Sequence, residues 1–293
     1  MTPSRRFALL VNPTAGGGRA REALPLVRGE FDRLGAHYRV VETRSLQHAR
    51  EEAAVAADDG ENVATLGGDG LVGPVAGVLR DRDVALALLP GGRGNDFIRM
   101  LGIPPEPVAA ARVAVEGRER RVDVAEVNGN PYVGIASFGF DSDANRIANE
   151  AKLVRGNLVY AYAVLRALAG WRPAEFTMTV DGERHEFTGY SVAVGNSRYF
   201  GGGMLALPDA EIDDGRLDVI TASRTSKLRY LSCLPKVFKG EHFDPSFMML
   251  FRGEVVEVAS SRPFVIYADG DPIGATPATI EVRKQCLRVV VPG

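Results

Sequence analysis

The spacing of apolar and polar positions changes character about 120 residues into the chain. Before that point, short apolar runs alternate with amphipathic stretches. "RFALLV" (6–11), "HYRVVET" (37–43), residues 63–66 and residues 84–89 have the length and composition of strands. Between them, Arg19–Leu34 places Leu24, Val27, Phe31 and Leu34 on one helical face. Ser45 is a candidate cap for a helix over 46–59, and further helices are predicted over 71–80 and 95–101. Strands alternating with helices predict a parallel, doubly wound sheet. After residue 120 the period drops to two. Asn128-Gly129-Asn130 and Asp181-Gly182 are hairpin turns by composition. Further strands are predicted at 216–222, 254–259, 263–268, 278–283 and 286–291. Helical stretches interrupt them at about 143–169 and 225–238. The second part is therefore mostly β and sandwich-like.

Composition narrows the function more by exclusion than by suggestion. The chain has 293 residues, 45% hydrophobic and 25% charged, with a formal net charge of −2. That length favours two domains, and the charge offers no basic patch for nucleic acid. Cys233 and Cys286 stand far apart with no C-x-x-C partner, so neither a disulfide framework nor a zinc site is indicated. His37, His48, His185 and His242 are scattered singly. The N-terminal apolar stretch is too short for a signal peptide, and no window reaches the ~20 apolar residues of a membrane span. Cytoplasmic residence is expected, with peripheral contact at the inner face of the membrane left open.

Three glycine-rich bends carry the candidate chemistry: residues 12–18, 67–70 and 91–94. Each follows a predicted strand, so all three should share the carboxyl edge of the sheet, where ligands of doubly wound folds bind. Freed backbone N–H groups there suit anionic oxygens. A Walker A motif is excluded, because no bend contains a lysine, and G-x-G-x-x-G fails at Arg21. Asp69 and Asp96 fit ligands of Mg²⁺, which prefers few carboxylates plus waters and phosphates.

"VNPTAGGG", "GGDG", "PGGRGNDF", "GFD" (139–141), "DDGRLDV" (213–219) and "DGD" (269–271) occur in this order over essentially the whole chain. GGDG alone is shared by NAD kinases and phosphofructokinases, but the joint pattern is far more specific. It resembles the diacylglycerol kinase catalytic family, bacterial soluble lipid kinases related to sphingosine and ceramide kinases. The resemblance implies an α/β nucleotide-binding domain over 1–122, to which a final strand at about 284–293 returns. It implies a β-sandwich over 123–283 carrying lipid-binding and catalytic groups, with ATP in the cleft. On these positions Asn12, Thr43, Gly67, Gly68, Asp69, Gly70, Leu71, Arg93, Gly94 and Asn95 would line the nucleotide. Asp69, Asp96 and Asp123 would organise the catalytic Mg²⁺. Asp214, with Glu211 and Arg216 beside it, would form a structural metal loop. Asp271 would be the general base, with Asp269 in the same turn.

The chain departs from the family pattern at four places. Leu71 replaces the usual Thr, Gly73-Pro74 the usual Asn-Glu, Arg93 a Thr, and Asp271 a Glu. An arginine fork suits phosphate oxygens, and Asp271 keeps the carboxylate with one methylene less reach. The reaction implied is transfer of the ATP γ-phosphoryl to a lipid hydroxyl, diacylglycerol first among candidates. A GGDG-type kinase of a soluble substrate and a non-catalytic lipid or nucleotide sensor stay open as alternatives. "DGD" on its own reads as a solvated hairpin turn. Because the lipid comes from a bilayer, two stretches are candidates for a lipid groove or membrane contact: 157–171, with Leu158, Tyr162, Leu165, Leu168, Ala169 and Trp171, and 228–243. Such apolar stripes more often belong to the core. A homodimer is left open.

Overall fold

The structure, a computed structural model, describes residues 5–150 and 158–293. The first half alternates strands β1 (Arg6–Val11), β2 (His37–Glu42), β3 (Asn62–Gly67) and β4 (Ala85–Pro90) with helices α1 (Arg19–Arg33), α2 (Leu46–Asp58), α3 (Asp69–Leu79) and α4 (Asp96–Met100). A further helix, α5 (Pro107–Glu116), lies where no element was expected. It opens on proline, which suits the first turn. The strands pair in parallel in the order β2-β1-β3-β4. β1, β3 and β4 are buried almost throughout, because helices cover both faces. β2 is the edge and is only partly buried; Arg39 on it is paired with Glu52 and Glu61.

The second half contains β5 (Arg118–Val127), β6 (Asn130–Tyr132), β7 (Ile135–Gly139), α6 (Phe140–Glu150) and α7 (Leu158–Gly170). It continues with β8 (Ala174–Val180), β9 (Glu183–Gly195), β10 (Tyr199–Phe200), β11 (Met204–Leu205) and β12 (Leu217–Ser223). It closes with α8 (Lys227–Val237), β13 (Met248–Gly253), β14 (Val255–Ser260), β15 (Val265–Ala268), β16 (Asp271–Ala275) and β17 (Ala278–Val291). Part of the helical stretch expected at 143–169 lies outside the described residues. The sandwich core is aromatic: Phe138, Phe140, Trp171, Phe176, Tyr190, Tyr230 and Phe264 are buried in one cluster. Leu168 and Trp171 therefore belong to the core, whereas Tyr162 and Leu165 stay exposed. β13 and β16 were not anticipated, since neither shows a clean apolar alternation. No described helix is long and apolar enough to cross a membrane.

Three hairpins turn on an Asx-Gly pair with both residues at positive φ: Asn128-Gly129, Asp181-Gly182 and Asp269-Gly270. This is the turn whose twist matches that of paired strands. The third one connects β15 to β16 and presents the DGD motif.

The two halves share strands. β17, expected as two pieces, is one long strand. Its first part pairs with β14 of the sandwich and its last part runs parallel to β4, while β5 pairs along most of its length. The register with β5 shifts between Arg283 and Leu287, and Gln285 there has φ 45°. Asp123 pins this irregularity. Its carboxylate is fully buried and accepts the N–H of Gln285 at 2.6 Å and of Gly215 at 2.7 Å.

Candidate active site

The three glycine bends interlock at the carboxyl edge of the parallel sheet. A Cβ placed on Gly68 would lie 3.0 Å from the Gly92 Cα, and one on Gly16 would lie 2.5 Å from the Gly91 carbonyl oxygen. Only glycine lets the backbones approach this closely. The Gly91 N–H donates to the Gly67 carbonyl at 2.8 Å, locking the second bend to the third. Asn95, in the left-handed region with φ 52°, accepts the Gly92 N–H on Oδ1 at 3.0 Å and so braces its own loop. Asn12 Oδ1 accepts both the N–H and the hydroxyl of Thr14. Thr43 is buried and donates its hydroxyl to the Val11 carbonyl at 3.0 Å, so its side chain supports the first bend from beneath.

Two carboxylates meet under these loops. Asp69 opens α3 and accepts the Phe97 N–H at 3.2 Å, which also caps α4. Asp96 opens α4, is buried, and accepts the Gly202 N–H on Oδ2 at 2.8 Å. A Cβ on Gly94 would lie 2.9 Å from Asp69 Oδ2 and 3.3 Å from Asp96 Oδ2, so both acids crowd the same glycine. Burial and then the Asp96 charge push the Asp69 carboxyl up to about 6. Burial raises Asp96 as well. Asp96 Oδ1 is buried with no hydrogen-bond partner. Two hard-oxygen donors held together, one with an orphaned oxygen, fit a divalent cation that completes its shell with water and phosphate. Among the described residues no group of three or more acidic, His or Cys side chains is arranged to hold a metal.

The sandwich supplies the opposite wall. Asp269 accepts the N–H groups of Val133 and Gly134, each at 2.9 Å, so both its oxygens are engaged. Burial, with the charges of Asp69 and Asp96 adding to it, pushes its carboxyl up to about 7. Asp271 begins β16, and its Oδ2 lies 2.7 Å from where a Cβ on Gly70 would be. Partial burial raises its carboxyl too. Asp269 Oδ2 lies 2.8 Å from the corresponding point on Gly73. The glycine at 73, a departure from the family pattern, thus makes room for the DGD hairpin against α3. Pro74 has no N–H to donate to the Gly70 carbonyl.

The chain is similar to known proteins along its whole length. The family model "Diacylglycerol kinase catalytic domain" matches residues 6–127, and "YegS C-terminal NAD kinase beta sandwich-like domain" matches residues 134–291. A "Diacylglycerol kinase" of Mycobacterium tuberculosis is 33% identical over 98% of this chain and 95% of its own length. The chain belongs to the diacylglycerol kinase family. A "Diacylglycerol kinase" of Bacillus subtilis is 27% identical over 98% of this chain and 97% of its own. A "Probable lipid kinase YegS-like" of Pseudomonas aeruginosa is 32% identical over 82% of this chain and 80% of its own. The crystal structure of a diacylglycerol kinase from Bacillus anthracis superposes with a TM-score of 0.82 at 24% identity, covering 99% of this chain and 98% of that one. That likeness shows the fold. Membership makes the protein a lipid kinase by class.

The other expected site residues are held in different ways. Asp123 is not brought to the Asp69–Asp96 pair; its carboxylate is spent on the backbone of Gly215 and Gln285. Leu71 is buried and packs back on Gly67, so its side chain belongs to the core of the first half. Arg93 is exposed at the tip of its loop. In the 211–216 loop, Asp214 accepts the Arg216 N–H at 2.9 Å and is ion-paired with Arg252, so a cation there would compete with a guanidinium. Glu211 lies near Asp218, whose carboxyl is pushed up to about 6 by burial and by the charges of Asp209 and Glu211. Asp141 of the GFD motif lies at the far end of β7 from Gly134 and accepts the Tyr230 hydroxyl at 3.4 Å. The sequence reading missed the Gly201–Gly203 run. All three glycines have positive φ, and they bring the sandwich hairpin β10–β11 onto Asp96. Three consecutive glycines between aromatic and apolar residues were the available signal.

Proposed function

We propose that this family member moves the γ-phosphoryl group of ATP to the hydroxyl of a membrane-derived lipid, diacylglycerol being the favoured substrate. One observation carries the reading. The Asp69–Asp96 pair, beneath interlocked glycine bends, lies against the DGD hairpin of the other domain, whose Asp269 feels both charges and whose Asp271 comes against the glycine at position 70. Phosphoryl transfer depends on such positioning and charge stabilisation more than on covalent chemistry.

The roles follow from the placement. The glycine bends cradle phosphate oxygens with backbone N–H groups. Asp69 and Asp96 would hold Mg²⁺, which when bound would supply positive charge against the negative charge developing in the transfer. Asp271 accepts the proton of the lipid hydroxyl as its oxygen bonds phosphorus and the bond to ADP breaks. Its raised pKa makes it a stronger base than a free carboxylate. Asp269 holds the hairpin through Val133 and Gly134, so that Asp271 is presented to α3. Arg93 stands at the loop tip, where its guanidinium can meet the outer phosphates.

The test is incubation with radiolabelled ATP, Mg²⁺ and mixed micelles of candidate lipids. Label in a chloroform-extractable product is the expected result. Label confined to a water-soluble product favours a kinase of a soluble substrate, and no label favours a sensor.

A further inference from the structure

The lipid substrate resides in a bilayer, and α8 has a strongly exposed apolar face. Its buried side is Tyr230, Cys233 and Val237, the first two set into the aromatic core. Its opposite side is apolar but uncovered. At 100° per residue, Leu228, Pro235 and Phe238 fall within an arc of about 80°, while Leu231 beside them is partly buried against the core. Leu228 is 81% exposed and Phe238 59%. Such exposure of large apolar side chains on one short helix is unusual away from an interaction site. Phe243, on the loop that follows, is exposed as well.

The charges around this arc are predominantly positive. Lys236 and Lys239 make no ion pair among the described residues, and Lys227 donates to the Ala169 carbonyl at the end of α7. Arg229 and Asp244 cancel each other in an ion pair. Glu241 is the single acid left against three lysines. An apolar strip bracketed by lysines complements an anionic bilayer: the side chains enter the headgroup boundary and the ammonium groups meet lipid phosphates.

The face is also connected to the site. The loop after α8 leans on β11. A Cβ on Gly240 would lie 3.0 Å from both Leu205 and Pro208. Leu205 pairs with Tyr199 across the hairpin whose Gly202 donates to Asp96.

We infer that the exposed face of α8, with Leu228 and Phe238 as apolar anchors and Lys236 and Lys239 as cationic ones, docks the protein on an anionic lipid bilayer. This rests on the lipid-kinase reading and names the surface through which that kinase meets its substrate. It is tested without turnover. The full chain is sedimented with vesicles of phosphatidylcholine alone or with one-third phosphatidylglycerol. Wild type is expected to pellet with the anionic vesicles and much less with the zwitterionic ones. Lys236→Gln with Lys239→Gln should weaken anionic binding by roughly twenty-five-fold, about fivefold per charge. Leu228→Ser with Phe238→Ser should weaken binding to both compositions by at least about tenfold. Unchanged melting temperatures and ATP-analogue binding show that these exposed substitutions leave the fold intact. Pelleting that survives both double variants overturns the inference. So does pelleting abolished only by Leu165→Ser on α7, or a wild type that never pellets. A dimer that Leu228→Ser dissociates in gel filtration would assign the face to a second copy and overturn it equally. Vesicle binding without label transfer in the micelle assay would count against the kinase reading alone. Label transfer without vesicle binding would count against the docking face alone.

Discussion

Asp69→Asn should make the protein more stable and nearly inactive, and the gain should depend on pH. Burial and the neighbouring Asp96 raise the Asp69 carboxyl from 3.8 to about 6. At 1.36 kcal/mol per unit, that rise corresponds to about 3 kcal/mol of destabilisation once the group is ionised in the folded state. The sign follows from proton counts. Between pH 4 and 6 the folded protein holds this proton and the unfolded chain does not, so stability falls as pH rises through that window. Below pH 4 both states are protonated and the loss is absent. Asparagine cannot ionise, yet its Oδ1 can still accept the Phe97 N–H that the carboxylate accepts at 3.2 Å. In chelated, metal-free buffer the variant should therefore gain about 2–3 kcal/mol at pH 8, or ~4–8 °C in Tm for a chain of this size, and almost nothing at pH 4. Added Mg²⁺ should raise the wild-type Tm at pH 8 and leave the variant nearly unmoved, because the compensating cation loses a ligand. Turnover should drop by orders of magnitude. Scanning calorimetry at the two pH values, with and without Mg²⁺, reads all of this. A variant that melts lower than wild type at pH 8, or whose difference is the same at both pH values, would refute the argument that Asp69 is a repelled, desolvated charge held for function.

Asp271→Asn should lose about 10²–10⁴-fold in kcat, the usual worth of a positioned acid–base group, while Asp271→Glu is tolerated. Full kcat in the Asn variant would move the base elsewhere. Arg93→Glu should raise the KM for ATP strongly and leave the lipid KM unchanged, with Arg93→Thr in between; equal KM values in all three proteins would show that the side chain points away from the nucleotide. Gln285 and Gly215 donate to separate oxygens of Asp123, so Asp123→Asn leaves one of these buried N–H groups facing an amide NH2 and should cost about 1–3 kcal/mol in denaturant unfolding, with kcat per folded molecule within a few-fold of wild type. A large kcat loss at unchanged stability would return Asp123 to the catalytic centre.

The local periodicities determined most of the elements. Apolar runs such as 6–11 and 63–66 could only be strands buried on both faces, and the glycine bends at their ends could only lie at one edge of a parallel sheet. The Asx-Gly hairpins were equally legible, since a two-residue turn with both φ positive is a local requirement. α5 was not, because its alanines pack without a strong apolar contrast. Nor was the continuity of β17, since the irregularity at Gln285 mimics a break between two strands. The family pattern could place Asp69, Asp96 and Asp271 in order along the chain, but not decide which carboxylates face one another. That depended on long-range packing. Asp123 is drawn to Gln285, 162 residues away, and Gly202 to Asp96, 106 residues away. A motif specifies a residue type at a position in the chain. Where that carboxylate's free oxygen points is set by backbone donors that arrive from distant segments, and only the folded chain brings those to it.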